Sequence, residues 1–260
     1  MDIIIYPDAE TASAAAARHI AAQLRHGEVK VLGLAAGHTP ALLYRELIRI
    51  HQEDGLDFSG ISVFILDEYA GLAANHPGTF TNRIGETFLD HVNIEAKRLR
   101  VPDGRAEDMV AECKAYEAAI EKAGFIDLQI LGIGRDGHLG FNAPGSSLSS
   151  RTRCVALTGQ TRGGDPRFFE SAAEVPAHGI TMGLGTILDS HEAVLLAFGK
   201  DKAEAIAAAV EGPTSAICPA SVLQLHGNVR LYLDEAAASL LKLKNDYQAA
   251  WEKRPGSTEP

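Results

Sequence analysis

Short apolar runs alternate along this chain with longer segments of helical period. Ile3–Tyr6, Val29–Leu34, Ile61–Leu66, Arg98–Val101, Ile126–Leu131, Val194–Phe198 and Val229–Leu233 are apolar and rich in β-branched side chains, so each reads as a buried strand. Between them lie helical patterns at Thr11–Arg25, Pro40–His51, Ala106–Lys122, Lys202–Val210 and Glu235–Ala250, with Thr39 as a cap and Pro40 in the first helical position of the second. Strands separated by helices call for crossover connections, which predicts an α/β sheet. No internal repeat, low-complexity block or long linker interrupts the pattern. One domain over residues 1–253 follows, with a polar, Pro- and Gly-rich tail over 254–260 that reads as frayed.

Composition narrows the partners. With 46% apolar residues the chain is a folded globule with a real core, and its net charge of −10 argues against a nucleic-acid partner, which needs a basic stripe. A small anion is still within reach, because a few cations or backbone amides hold one phosphate whatever the net charge. Cys113, Cys154 and Cys218 are odd in number and in no CxxC spacing, as expected of free thiols in a reducing compartment. The start, Met1-Asp2-Ile3-Ile4-Ile5-Tyr6-Pro7, has neither a signal peptide nor a spanning helix, so a cytoplasmic protein without a membrane partner is expected.

Four segments carry chemistry. Gly132-Ile133-Gly134-Arg135-Asp136-Gly137-His138 puts an acid and an imidazole on a glycine-rich loop leaving a buried strand, where ligands of open α/β sheets bind. Asp136 can orient His138, or both can serve proton transfers; no metal ligand set accompanies them. Val31–Pro40 is a strand ending in the small-residue loop Ala35-Ala36-Gly37-His38-Thr39, read either as an anion cradle at a helix start or as a plain tight turn. It matches neither the Walker A loop nor the GxGxxG signature. Asp67 and Glu68 follow directly on another buried strand. One of them is a general base whose pKa burial raises, or Asp67 merely caps or turns the chain. Finally, Asp201 and Glu204 fit a capping-box start that places Lys202 in a first helical turn, where a cation opposes the dipole unless an anion intervenes. Arg151, Arg153 and Arg167 read from spacing alone as solvated surface.

Together these segments resemble the glucosamine-6-phosphate deaminase (isomerase) family, within the superfamily that includes 6-phosphogluconolactonases. The resemblance runs through GLAAGHTP, LDEYAGL, HPGTFTNRI, FLDHVNI, GIGRDGHLGFNAPGSSLSSRTR, RFF, ITMGLGTIL, AAAVEG and LQLH in order, and the FN-x-PGSSL-SRTR continuation selects the deaminase branch over the lactonases. It implies a single-domain, three-layer, Rossmann-like open sheet, mostly parallel, with helices on both faces. It further implies conversion of an amino-sugar 6-phosphate to fructose 6-phosphate and ammonia, with no cofactor and a small sugar phosphate as the partner. By the resemblance Asp67 is the base at C2 and C1, His138 opens the ring with Asp136 orienting it, and Ala36, Gly37, His38, Thr39, Arg167 and Lys202 cradle the phosphate.

Two departures qualify the match. The family usually has glutamate where this chain has Ala143, so the Asp-His-Glu relay is at best a dyad. Slower ring opening, a substitute group such as His38, or a different reaction would each follow; the alternatives are a sugar-phosphate lactonase or a binder without turnover. Allosterically activated members use a serine, an arginine and a lysine that correspond to Ser146, Arg153 and Val155, so the effector cation is missing. The resemblance leaves a homo-oligomer open, since the family includes monomers and hexamers.

Overall fold

The structure is a computed structural model that describes residues 1–157, 162, 167–171 and 173–254. Residues 255–260 of the expected tail, and Pro166, fall outside the described residues. The apolar runs form seven strands of one sheet: β1 (Asp2–Tyr6), β2 (Val31–Leu34), β3 (Ser62–Ile65), β5 (Leu99–Arg100), β6 (Leu128–Gly132), β9 (Glu192–Ala197) and β10 (Val229–Asp234). Their order is β1-β10-β9-β6-β2-β3-β5 and every neighbouring pair is parallel.

The two-residue period of a strand divides the apolar side chains between two cores. Leu32, Leu34, Leu128, Ile130, Val194, Leu196 and Tyr232 face the cluster that contains α1 (Ala9–His26) and α2 (His38–Asp54). Val31, Leu131, Ala193, Leu195, Leu231 and Leu233 face the opposite cluster, which contains residues of α4 (Met109–Lys122), α5 (Leu184–Leu188) and α6 (Ala203–Glu211). The result is the three-layer, mostly parallel α/β fold with helices on both faces. Among the described residues no helix is long and apolar enough to cross a membrane.

Strand order reverses between β2 and β6: the chain builds outward from β2 through β3 to β5, then returns to β6 and builds the other way. At such a reversal the loops after the two strands diverge to opposite faces and leave a crevice. Those loops are Ala35–Gly37 and Ile133–His138.

A second, three-stranded sheet is absent from the pattern-based expectation. β4 (Asp67–Tyr69), β8 (His178–Thr181) and β7 (Arg153–Ala156) pair antiparallel in the order β4-β8-β7. Leu66 is the joint between sheets, its N–H donating to Leu34 O at 2.8 Å and its carbonyl accepting from Met182 N at 2.8 Å. A third apolar cluster of Tyr69, Phe80, Phe141, Leu157, Phe169 and Val175 packs here.

Three helix assignments change. α2 begins at His38 with Gly37 as its cap residue and no side-chain cap bond, so Thr39 is not the cap and Pro40 is the third helical residue. Proline is tolerated there because the first N–H groups of a helix have no intrahelical acceptor. The Asp201/Glu204 capping box does not form: Asp201 pairs with Arg135 at 2.9 Å, residues Lys200–Lys202 make a 3₁₀ turn, and Lys202 itself is the cap position of α6. The helix expected over Glu235–Ala250 survives only as α7 (Lys244–Glu252). Side chains take the backbone amides that would have continued it, Asp234 accepting from Ala237 N at 2.7 Å and Glu211 from Lys242 N and Leu243 N at 2.9 Å. An unanticipated helix, α3 (Phe80–Thr87), follows β4.

Candidate functional site

The site is built from the carboxyl ends of β2, β3 and β6. After β6 the chain turns so sharply that a Cβ on Gly134 would lie 2.1 Å from His138 Nδ1, and Gly137 sits at φ 81° with Cys218 Sγ 2.6 Å from where its Cβ would be. Only glycine accommodates both positions. The turn brings Asp136 Oδ1 to 2.6 Å from His138 Nδ1 and 3.2 Å from His138 N. An ionised carboxylate only accepts, so Nδ1 carries the proton and Nε2 is left as the basic nitrogen. Burial pulls the His138 pKa below the usual imidazole value, with Asp136 opposing and the Lys202 charge reinforcing the drop.

Asp67 and Glu68 have divided roles. Glu68 Oε1 accepts from Tyr69 N at 2.8 Å and Phe80 N at 2.9 Å, while Oε2 accepts from Thr81 N at 2.9 Å and Thr81 Oγ1 at 2.7 Å, which satisfies the start of α3. The capping role considered for Asp67 therefore belongs to its neighbour. Asp67 is only 5% exposed, and its Oδ1 has no hydrogen-bond partner among the described residues. Burial raises its pKa well above the usual carboxylate value, the Glu68 charge adds to the rise, and Arg83 opposes both. A carboxyl so placed is a stronger base than one in water.

Gly140 links the two groups. A Cβ there would lie 3.3 Å from Asp67 Oδ2 and 2.8 Å from Thr181 Oγ1, so the loop carrying His138 passes directly over Asp67. Asn142 anchors that loop by donating to Leu139 O at 2.9 Å and Met182 O at 2.8 Å.

At the crevice the β2 loop enters α2 through an uncapped turn that includes Ala36, Gly37, His38 and Thr39, and the Tyr44 hydroxyl donates to Ala35 O at 2.8 Å to hold the turn. Arg167 Nη2 stands 3.3 Å from the His38 ring. Lys202, half-buried at the start of α6, has its ammonium pKa lowered by burial, with Asp201 and Asp136 opposing. The Lys202 charge contributes to the lowering of the His138 pKa, and Asp136 opposes the lowering at Lys202, so the cation is within electrostatic reach of the acid–imidazole pair.

Ser146 and Arg153 also meet, but they form a separate group. Arg153 donates to Asn142 Oδ1 at 2.8 Å and to Ser146 Oγ at 3.2 Å, and burial lowers its pKa. Its guanidinium therefore braces the Asn142 loop, and Val155 two residues on supplies no charge. N-acetylglucosamine 6-phosphate, which by the family resemblance is the effector of the allosterically activated members, is expected to leave the half-saturating substrate concentration unchanged; a clear drop in steady-state kinetics would contradict this. Ala143 lies in the same turn, its N–H donating to Phe141 O and its carbonyl accepting from Ser146 N, both at 3.0 Å.

Sequence reasoning did not single out Asn142, Thr181, Tyr44 or Arg83. Asn142, Thr181 and Arg83 stand inside the quoted Phe-Asn, ITMGLGTIL and HPGTFTNRI motifs and were within reach; Tyr44 lies outside them and is brought in by tertiary packing.

The family model for glucosamine-6-phosphate isomerases/6-phosphogluconolactonase matches residues 7–232. The glucosamine-6-phosphate deaminase of Rhodococcus jostii (strain RHA1) is 50% identical over 255 residues, covering 98% of each chain. That of Shewanella loihica (strain ATCC BAA-1088 / PV-4) is 47% identical over 248 residues, 95% of this chain and 92% of the relative. The solved structure of a monomeric glucosamine-6-phosphate deaminase superposes with a TM-score of 0.89 at 43% identity, over 92% of this chain and 100% of the other. A 6-phosphogluconolactonase from Trypanosoma brucei, at 22% identity and a TM-score of 0.70 over 92% of this chain and 97% of the other, shares the fold. The chain belongs to the family of glucosamine-6-phosphate isomerases and 6-phosphogluconolactonase.

Proposed function

We propose that this protein is an enzyme that converts glucosamine 6-phosphate, or an epimer, to fructose 6-phosphate and ammonia. The observation that carries the reading is the separation of a buried carboxylate, Asp67, from the Asp136–His138 pair across Gly140. Deamination of an amino sugar needs two such centres, since the C2 proton becomes acidic only after the ring opens to an aldehyde. Full-length deaminase relatives at about half identity support it.

His138 Nε2 takes the proton of the anomeric hydroxyl and returns one to the ring oxygen, with Asp136 fixing the imidazole. Asp67 then removes the C2 proton while O1 is protonated, giving an enolamine as the enediol-type intermediate, and delivers that proton to C1 as the amino nitrogen gives one up, leaving an imine at C2. Water adds to that carbon, and ammonia departs to give the ketose. The amides at the start of α2 together with His38, Arg167 and Lys202 hold the phosphate, whose binding energy keeps the open chain in register. Ala143 contributes no proton-carrying group, so the relay is Asp136 and His138 alone. A small-molecule metabolite as the partner and free thiols at Cys113, Cys154 and Cys218 fit a cytoplasmic location.

Ammonia release measured with glucosamine, galactosamine and mannosamine 6-phosphates tests the proposal and fixes the epimer. Silence with all three, together with hydrolysis of 6-phosphogluconolactone, would replace the deaminase reading with a lactonase.

A further inference from the structure

We propose that Arg83 is a positioning residue that ties the phosphate-binding Arg167 to helix α3 through the ring of Phe168, so that the two ends of the substrate are gripped by one rigid unit. The inference rests on the reading of Arg167 as a phosphate ligand.

The contacts form a continuous ladder. The Arg83 guanidinium carbon lies 5.2 Å from the centroid of Phe80 and 5.0 Å from that of Phe168. Arg167 stands 5.3 Å from the same Phe168 centroid and reaches the His38 ring at its far end. Each distance is within the roughly 6 Å over which a cation is attracted to a ring face. The next residue, Phe169, is buried against Tyr69 at 5.6 Å and stacks on His76 at 5.5 Å, which seats the segment on the second sheet.

Helix α3 is itself fixed to the catalytic motif. Its first turn hangs from the Glu68 carboxylate, the residue after Asp67, and Arg83 lies one turn further along, on the side of Phe80. A displacement of α3 would therefore move Arg167 and the Asp67–Glu68 strand together. The Arg83 charge also opposes the rise of the Asp67 pKa, which places this cation within electrostatic reach of the C2 end. The sequence places Arg83 in the HPGTFTNRI motif but gives it no role, because helix α3 and the approach of Phe168 are set by tertiary packing.

The test is Arg83→Met, which keeps the aliphatic stem and removes the cation, alongside Arg83→Lys and Phe168→Leu. Steady-state deamination should show KM raised roughly three- to thirtyfold in Arg83→Met with a smaller change in kcat, and partial recovery in Arg83→Lys. Calorimetric binding of fructose 6-phosphate should weaken in parallel. Phe168→Leu should reproduce the effect, and the double variant should be no worse than either single one, because both break the same ladder. Unchanged KM and fructose 6-phosphate affinity in Arg83→Met would overturn the inference, as would full additivity with Phe168→Leu or no fructose 6-phosphate binding by the wild type. A wild-type protein that binds fructose 6-phosphate but releases no ammonia would refute the deaminase reading instead, and the calorimetric comparison would still decide the role of Arg83.

Discussion

Asp67→Asn is expected to lower deaminase turnover by about 10²–10⁴-fold while making the fold more stable at neutral pH. The two effects have one cause. Asp67 is buried, one of its oxygens lacks a hydrogen-bond partner among the described residues, and the neighbouring Glu68 charge repels its own. Its folded pKa therefore stands above the unfolded value, so the protonated side chain is the one the fold prefers. Stability from this group is fully present below the unfolded carboxylate pKa and is lost as pH rises through the folded one. Ionised Asp67 is thus a cost borne for catalysis, and asparagine removes the charge with little change in shape. Thermal unfolding at neutral pH should show the variant melting above the wild type, with the gap closing below the ordinary carboxylate range, where both side chains are neutral. Near-normal turnover in Asp67→Asn would refute the base assignment; lower stability at neutral pH would refute the account of its ionisation.

What was legible in sequence follows from what kind of burial each element has. The central strands are covered on both faces, so β6, β9 and β10 are almost continuously apolar and stand out from any surroundings. The second sheet gives no such signal. β4 is Asp-Glu-Tyr, two of its three residues being charged groups buried for chemistry and capping; β8 contains His178 and Gly179; and β7 is only half-covered. Their strand identity comes from pairing with one another, a tertiary fact. The same holds for Glu235–Ala250, where helical spacing is present but Glu211, from a distant helix, takes the amides at Lys242 and Leu243.

The acid–imidazole pair was legible because its geometry is local: two glycines and a two-residue spacing fix the Asp136–His138 contact. The proximity of Asp67 to this pair came from the family resemblance and not from local spacing, since it depends on Gly140 crossing the start of β4, where Asp67 faces Thr181. The proposed phosphate cradle is intermediate. Its loop could be read from Ala35–Thr39, but the cap is Gly37 rather than Thr39, and Lys202 ends a 3₁₀ turn in which Asp201 is engaged with Arg135.

His138→Gln should lower turnover on the cyclic sugar phosphate by about 10²–10⁴-fold, and Ala143→Glu should raise it only where His138 is present. Burial keeps the imidazole pKa below its ordinary value despite Asp136, so the ring is neutral near pH 7, with Nε2 free to take a proton. Glutamine has no titratable nitrogen and cannot pass a proton from the anomeric hydroxyl to the ring oxygen. The turn at Ala143 is held by backbone bonds to Phe141 and Ser146, which a glutamate can also make, and by the family resemblance its carboxylate would join the relay. In the wild-type background this carboxylate assists ring opening through the imidazole and the rate rises; in His138→Gln it has no imidazole to act on and the rate stays low. Ammonia-release rates of the four proteins, wild type, both single variants and the double variant, decide the point. An equal gain from Ala143→Glu in both backgrounds would mean that the new carboxylate works independently of His138, and the assignment of Asp136 and His138 as a shared relay would fall.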